Sequence, residues 1–179
     1  MKLYLVRHGQ TDWNVARKFQ GDTDIPLNQT GIEQAHMVKE KLNNINIYLC
    51  ISSPLSRTLE TARIICDNQI PIITNQLLIE RDLGEYEGKI IEESHYDGSL
   101  YWDYKLNLND KGVESIKDLF KRCEEFLNQI KEEYKDKNLL IVSHGATIRA
   151  IHYIISSYSE EEKFLKFDVP NCCLFEYNL

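Results

Sequence analysis

The chain contains one short sequence motif twice, an apolar run followed by a polar residue and then His-Gly. It stands at residues 5–11 as LVRHGQT and at residues 141–147 as IVSHGAT. A short apolar run with turn chemistry directly behind it is typical of a buried strand in a parallel sheet. If both strands belong to one sheet, His8 and His144 emerge at its carboxyl edge, where open α/β sheets bind ligands. The repeated motif therefore predicts an α/β fold with two histidines in one site.

Strand-like and helix-like segments alternate along the rest of the chain. Strands are predicted at 2–7, 47–51, 71–74, 138–142 and 172–177. Helices are predicted from a capping box at 30–33 to about Asn43, from Ser53 as N-cap and Pro54 to about Cys66, over 115–134, and from Ala146 to about 155. Residues 8–27 are predicted as a loop, and 80–111 as the least regular stretch. This order predicts a three-layer α/β/α sandwich with a mostly parallel central sheet.

The composition limits which classes of binding partner and which cellular compartment are expected. The 179 residues, 42% of them hydrophobic, suffice for one domain with a core over 1–179. A net charge of −7 argues against nucleic acid or an anionic membrane as the main partner, but allows a small anion in a locally positive pocket. Five cysteines without CxxC spacing predict free thiols. No signal-peptide pattern and no membrane-spanning run are present, so we expect a cytoplasmic protein.

Arg7 and His8 suit chemistry on a phosphate group. A neutral imidazole, with an ordinary pKa of about 6.5, is a competent nucleophile near neutral pH and can form covalent intermediates. An arginine presents a fork of N–H donors to phosphate oxygens. Gly9 permits the turn that would let the two side chains converge. The alternative is a strand-end histidine that only hydrogen-bonds a carbonyl group.

Two further segments place charged groups at the same edge of the sheet. Arg57 follows the second strand at the beginning of a helix, whose free N–H groups suit a bound anion. The alternative for Arg57 is a surface pair with Glu60. The stretch 80–88 follows the third strand, and a partly enclosed carboxyl group there could protonate a leaving oxygen. Spacing alone does not choose among Glu80, Asp82 and Glu85, and a solvated acidic loop is the commoner interpretation.

His144 completes the set, because a second histidine can donate to a transferring phosphoryl group and hold its charge. Two histidines with nearby carboxylates also suit zinc. The chain has no HxH or HExxH pattern, however, and arginines beside ligand histidines would repel the cation. A metal site is therefore the weaker interpretation.

Together these segments resemble the histidine phosphatase superfamily, in its phosphoglycerate-mutase-like branch. The matching stretches run in the family's order over nearly the whole chain, at 5–14, 20–21, 26–28, 31, 34–35, 52–62, 80–88, 112–115 and 142–145. The resemblance implies a phosphoglycerate-mutase-like fold and no metal or other cofactor. Gln10 stands where many relatives have glutamate, a departure that leaves the mechanism intact.

The resemblance also implies the roles of individual residues. His8 would be the phosphorylated nucleophile, with a phosphoryl clamp made of Arg7, Arg57 and His144. Glu80 would act as acid and base. Hydrogen bonds to the substrate would come from the remaining residues of the binding set, which are Thr11, Asn14, Gln20, Gly21 and Gly145.

The residues of the segment 89–111 are expected to show whether the protein is a hydrolase or a mutase. A mutase must hold a second phosphate and needs extra cations, yet this short segment has only Lys89, Lys105 and Lys111 against five acids. It also contains four aromatic residues, for which ordinary packing and substrate contact are both open: Tyr96, Tyr101, Trp102 and Tyr104. We expect a phosphatase with a small lid at about 89–111, acting on a small monophosphorylated metabolite whose leaving group is neutral or aromatic.

Two other functions stay open. One is a cofactor-dependent phosphoglycerate mutase. The other is a non-catalytic phosphate-binding relative, which is disfavoured because all five core residues of the family are present: Arg7, His8, Arg57, Glu80 and His144.

Overall fold

A five-stranded sheet lies at the centre of the fold. The computed structural model describes residues 1–157 and 164–179. In the order β3-β2-β4-β1-β5, the sheet contains β1 (Lys2–Arg7), β2 (Leu49–Ser52), β3 (Ile72–Thr74), β4 (Leu139–Ser143) and β5 (Leu174–Asn178). The first four strands pair in parallel, and β5 pairs antiparallel with β1 at one edge. The predicted mostly parallel sheet is confirmed.

Helices pack on both faces of this sheet. The described residues form α1 (Asp12–Val15), α2 (Gln29–Leu42), α3 (Ser56–Cys66), α4 (Gly98–Tyr101), α5 (Ile116–Glu133) and α6 (Gly145–Ile155). Short 3-10 helices occur at Gln76–Leu78, Gly84–Tyr86, Ile91–Glu93 and Phe164–Lys166. In the described part of the chain, no helix combines the length and the apolar character needed to cross a bilayer.

Alternation of side chains along the strands builds one core on each face of the sheet. On one face Leu3, Leu5 and Ile141 pack with the buried sides of α5 and α6. On the other face Val6 and Val142 pack with α2 and α3. β4 is buried at every position, as expected for a strand covered on both sides. The three-layer α/β/α sandwich is thus confirmed.

The beginnings of two helices differ from the sequence prediction. α2 begins at Gln29 and not behind a capping box at Thr30, because the Asn28 side chain accepts the N–H of Gly31. α3 begins at Ser56, with Leu55 in the N-cap position, so Ser53 is not its cap.

The predicted loop 8–27 also holds a short helix that the sequence analysis missed. This helix is α1, which Thr11 caps together with Asn14 in a capping box. At α1 and α2 more than one nearby polar side chain could take the free N–H groups of the first turn, and the folded chain uses Thr11 and Asn28.

The segment 89–111 has a small aromatic core of its own. Tyr96 stacks on Tyr101 with ring centroids 4.8 Å apart, and both contact the edge or face of Tyr86. Tyr104 packs against Phe120 on α5. For these three tyrosines of the segment, the packing alternative is therefore the correct one.

Candidate active site

The carboxyl ends of β1 and β4 lie side by side, and a histidine follows each. β1 and β4 pair in parallel with Arg7 opposite Ser143, so His8 and His144 leave the sheet at the same level. Both imidazole rings are buried, and their centroids are 5.2 Å apart. The structure thus brings the two histidines together at the edge where α/β sheets bind ligands.

The His8 ring is oriented by the turn that follows it. Its Nδ1 lies 2.7 Å from the carbonyl oxygen of Gly9, which only accepts hydrogen bonds. Nδ1 therefore carries the proton, and Nε2 keeps its lone pair. Burial, aided by the charges of Arg7 and Arg57, lowers the pKa of His8 well below its ordinary value of 6.5. The ring is therefore neutral at pH 7, the form in which histidine can attack phosphorus.

Two contacts that the sequence analysis did not predict fix the backbone at residues 8–10, which we call the nucleophile loop. The side-chain amide of Asn171 donates to the carbonyl oxygens of His8 and Gly9, at 3.1 and 3.3 Å. Gly31 at the beginning of α2 approaches the backbone of the loop so closely that a Cβ there would lie 2.2 Å from the carbonyl oxygen of Gln10. The position of His8 thus depends on α2 and on the C-terminal segment.

We expect Gly31→Ala to destabilise the fold by about 1–3 kcal/mol and to lower activity, because a methyl group would push directly on the backbone of the nucleophile loop. Gly98→Ala is the matched control, since its Cβ would meet the Trp102 ring at an ordinary contact distance of 3.4 Å. Urea denaturation and phosphate-release assays measure both effects. Equal stability and activity of the two variants would contradict this account of Gly31.

Arg57 is buried under the loop that precedes α2. Its two terminal nitrogens donate to the carbonyl oxygens of Thr23 and Gly21, at 2.7 and 2.8 Å. Its Nε donates to Nδ1 of His144 at 3.3 Å. The alternative of a surface pair with Glu60 is therefore wrong. Arg57 instead ties the loop at Gly21 to the histidine pair and brings a positive charge to them.

Arg7 reaches the site from the end of β1. Its Nη1 donates to the carbonyl oxygen of Val169 at 2.6 Å, while its buried Nε has no hydrogen-bond partner in the described part of the chain. Burial lowers the pKa of Arg7, and the nearby Glu80 carboxylate opposes that effect. Because an arginine ordinarily titrates above about 12, Arg7 remains a cation with donor capacity left for an anion.

His144 contacts His8 and Arg57 but does not form part of the cavity wall. Because Arg57 donates to its Nδ1, the proton of the neutral ring is on Nε2, which lies 2.8 Å from the Ser53 hydroxyl. Burial, together with the charge of Arg57, lowers the pKa of His144 well below 6.5. Contact with a phosphoryl group would require its Nε2–H to exchange Ser53 for the substrate. That direct role stays a prediction.

Glu80 is the acid that the structure brings to the site. Its carboxylate accepts the backbone N–H groups of Ala146 and Thr147 at the N-terminus of α6, at 3.2 and 3.3 Å. Gly145 lies between this carboxylate and Arg7, since a Cβ there would be 3.7 Å from Oε2 of Glu80 and 3.6 Å from Cζ of Arg7. Glu80 is thereby fixed next to the cation that would meet the phosphoryl group.

The other two acids proposed for the same role lie elsewhere. The Asp82 carboxylate accepts the N–H of Gly84 at 2.7 Å, and Glu85 is exposed on the surface. Neither forms part of the cavity wall, which Glu80 does. The geometry therefore favours Glu80 as the acid.

A cavity of about 290 Å³ connects these groups. Its wall includes eight residues that the sequence analysis placed in the site: Arg7, His8, Asn14, Gln20, Gly21, Arg57, Glu80 and Gly145. Thr11 lies behind the wall, with its hydroxyl 3.0 Å from Oε1 of Gln20, so it supports a wall residue.

Three cations of the wall were not singled out from the sequence, namely Lys18, Arg81 and Arg149. A signal was available for Arg149, which stands four residues after Gly145 and so lies on the same face of α6. Trp102 is the aromatic residue of the segment 89–111 that reaches the cavity. It lies 4.4 Å from the Arg81 guanidinium and stacks on Phe164.

In the described ranges, one group of three side chains could bring metal ligands together, formed by Asp22, Asp82 and Glu87. It contains neither histidine, so it does not match the zinc site considered from the sequence. The Glu87 carboxylate also accepts the N–H groups of Asp22 and Leu83, both at 3.0 Å, and thereby joins two loops.

Comparison with known proteins gives a consistent result. Residues 3–179 match the histidine phosphatase superfamily, branch 1. The chain is 36% identical over 173 residues to the uncharacterized phosphatase PhoE of Bacillus subtilis, covering 95% of this chain and 84% of that protein. It is 36% identical over 154 residues to the probable phosphoglycerate mutase GpmB of Yersinia pestis, covering 83% and 71% of the two chains.

Solved structures agree with the sequence matches. Phosphoserine phosphatase of Entamoeba histolytica, in complex with 3-phosphoglyceric acid, superposes with a TM-score of 0.82 at 31% identity, over 98% of this chain and 89% of that one. Alpha-ribazole phosphatase of Shigella flexneri superposes with a TM-score of 0.85 at 27% identity, over 100% and 91%.

Proposed function

The chain belongs to branch 1 of the histidine phosphatase superfamily, and we propose that it hydrolyses a small phosphorylated metabolite through a phosphohistidine on His8. The observation that carries the proposal is the arrangement of the cavity. A neutral imidazole with an unprotonated Nε2 shares it with Arg7, Arg57 and Glu80. The similarity to PhoE and to phosphoserine phosphatase supports hydrolysis of phosphomonoesters.

In the first step the phosphate dianion binds against Arg7 and Arg57, whose charges balance it. Nε2 of His8 attacks phosphorus, and the P–O bond to the leaving group breaks. The leaving oxygen takes a proton from Glu80 and departs as a neutral alcohol. The ring then carries a positive charge, which the Gly9 carbonyl oxygen stabilises through its hydrogen bond from Nδ1.

In the second step water replaces the alcohol. The Glu80 carboxylate takes a proton from the water, whose oxygen attacks phosphorus as the N–P bond breaks. Inorganic phosphate forms, His8 returns to its neutral state, and Glu80 is again protonated for the next substrate. Glu80 thus serves as the acid in the first step and as the base in the second. This requires only that the leaving oxygen and the water oxygen each lie within hydrogen-bond reach of its carboxyl group.

We propose hydrolysis rather than mutase activity because of what the segment 89–111 contributes to the cavity. Its residues in the wall are Ile91 and Trp102, neither of which is charged. The three lysines and five acids counted from the sequence therefore lie outside the wall. This segment therefore places no cation in the cavity that would retain a second phosphate, as a mutase requires.

We expect 3-phosphoglycerate, if accepted, to yield free phosphate and little 2-phosphoglycerate, even with added 2,3-bisphosphoglycerate. Both products are followed in one assay, with and without EDTA. Fast isomerisation with negligible phosphate release would overturn the hydrolase assignment.

Phosphatase activity should survive EDTA, because arginines balance the charge of the phosphate in this mechanism. Loss with EDTA and recovery with a divalent cation would revive the metal interpretation.

We also propose that residues 1–179 act as one domain in which the segment 89–111 is the lid of the cavity. Trp102 belongs to this segment and lines the cavity, which supports this arrangement.

We propose a reducing compartment, the cytoplasm, because all five cysteines are free thiols. The partner is then a small metabolite, since the net charge of −7 disfavours nucleic acid and anionic membranes.

A further inference from the structure

Arg57 depends on two backbone carbonyl groups for its orientation. Its terminal nitrogens donate to the carbonyl oxygens of Gly21 and Thr23, and its Nε donates to His144. These contacts use one N–H of each nitrogen, which leaves a second N–H on each terminal nitrogen for a ligand. The direction of these remaining donors is therefore set by residues 21–24, which we call the Arg57 loop.

The amide groups of the Arg57 loop are held by one carboxylate outside the cavity wall, that of Glu87. Its Oε1 accepts the N–H of Asp22 at 3.0 Å. Its Oε2 accepts the N–H of Thr23 at 3.0 Å and also the Thr23 hydroxyl. Oε1 accepts in addition the N–H of Leu83 at 3.0 Å. A carboxylate offers about four lone-pair sites, so the acceptor capacity of Glu87 is filled.

The contacts to Glu87 and to Arg57 lie on opposite sides of the same peptide groups. The N–H groups of the Arg57 loop are directed to Glu87 and its carbonyl groups to Arg57. Gly21 shows how closely the carboxylate approaches, because a Cβ there would lie 1.7 Å from Oε1 of Glu87. A shift of the carboxylate would therefore move the carbonyl oxygens that orient the guanidinium group.

The charge of Glu87 also acts on Arg57. The Arg57 side chain is fully buried, and burial lowers its pKa, whereas nearby carboxylates that include Glu87 oppose that effect. Glu80 does not depend on Glu87 in the same way, because the N–H groups of Ala146 and Thr147 hold its carboxylate. The contacts of Glu87 thus converge on the phosphate-binding cation and not on the acid.

We propose that Glu87 is a positioning residue, which orients Arg57 toward the phosphoryl group through the Arg57 loop. This inference rests on the proposed phosphatase function. A glutamine could not replace the carboxylate, because its amide NH2 group would face the N–H of Asp22 or of Thr23, a donor against a donor. The loop would then move to find other acceptors, and Arg57 would move with it.

Glu87→Gln should lower kcat/KM by about 10- to 100-fold, the value of a hydrogen bond to a charged group. The factor should be the same for alkyl phosphates and for p-nitrophenyl phosphate, because Arg57 contacts the phosphoryl group that both share. The dissociation constant of inorganic phosphate, measured by calorimetry, should rise by about tenfold. Glu85→Gln is the matched control, because Glu85 is an exposed acid of the same segment, and it should change neither quantity.

A double-mutant cycle with Arg57→Lys separates positioning from a general effect on the fold. If Glu87 acts through Arg57, adding Glu87→Gln to Arg57→Lys should cost about twofold or less. Thr23→Val removes the hydroxyl donor and should lower kcat/KM by about three- to tenfold, whereas Thr23→Ser should retain the wild-type value. Both Thr23 variants keep the carboxylate, so they test the contact even if Glu87→Gln does not fold.

Wild-type kcat/KM and phosphate affinity in Glu87→Gln would overturn the positioning role, as would losses that multiply fully in the double variant. A loss confined to alkyl phosphates would mean that Glu87 acts on the acid and not on Arg57. Equal activity of Thr23→Val and Thr23→Ser would also contradict the proposal. Phosphate binding separates the two proposals. If Glu87→Gln weakens it but the wild type releases phosphate from no ester, the phosphatase function is wrong and the role of Glu87 stands.

Discussion

Replacing His8 with alanine should lower kcat/KM by at least about 10⁴-fold and leave no phosphorylated protein to trap. The reason is that the other histidine near the cavity, His144, is buried behind the wall with both ring nitrogens in hydrogen bonds. No second nucleophile is thus available to divide the reaction into two steps. The measurement is a rapid quench of wild type and variant with labelled substrate, followed by a stability test of the adduct. Phosphohistidine is labile in acid and stable in base.

The control for this experiment is His36→Ala, because His36 is exposed on α2 and does not line the cavity. It should trap as much label as the wild type. Near-normal turnover of His8→Ala would remove the phosphohistidine mechanism altogether. An adduct stable in acid would move the covalent bond to a residue other than histidine.

Replacing Glu80 with glutamine should slow alkyl phosphates by about 10²- to 10⁴-fold in kcat/KM, the usual contribution of a general acid. An alkoxide is a poor leaving group without a proton, and the amide cannot supply one. p-Nitrophenyl phosphate should lose much less, because p-nitrophenolate leaves without protonation. Because kcat/KM reports formation of the phosphoenzyme, the later role of Glu80 as base does not enter the comparison.

Glu85→Gln serves as the control for Glu80, since Glu85 is an exposed acid of the same loop outside the cavity wall. It should behave as the wild type on both substrates. Equal losses on the two substrates in Glu80→Gln would mean that Glu80 acts through binding or structure. The proton would then come from another group, and Asp82 would be the first to test.

The strands and the histidines that follow them could be predicted from the sequence because their signals are local. A strand covered on both faces is a short apolar run, and the fully buried β4 shows why that pattern is so regular. Parallel strands end at one edge, so a His-Gly after each of β1 and β4 already places the two rings together. Helix beginnings were less predictable, because Asn28 and not Thr30 caps α2, and the Ser53 hydroxyl lies 2.8 Å from Nε2 of His144 and does not cap α3.

The sequence by itself determined the fold class and the family and indicated the candidate site residues, since the strands and the motifs are short contiguous patterns. The tertiary structure alone decided which charges share the cavity. Lys18 and Arg149 come from segments far apart in the chain, and their common wall depends on packing that no local pattern encodes. The tertiary structure also showed that the charges counted over 89–111 do not describe the cavity, because Ile91 and Trp102 are the residues of that segment that line it and neither is charged.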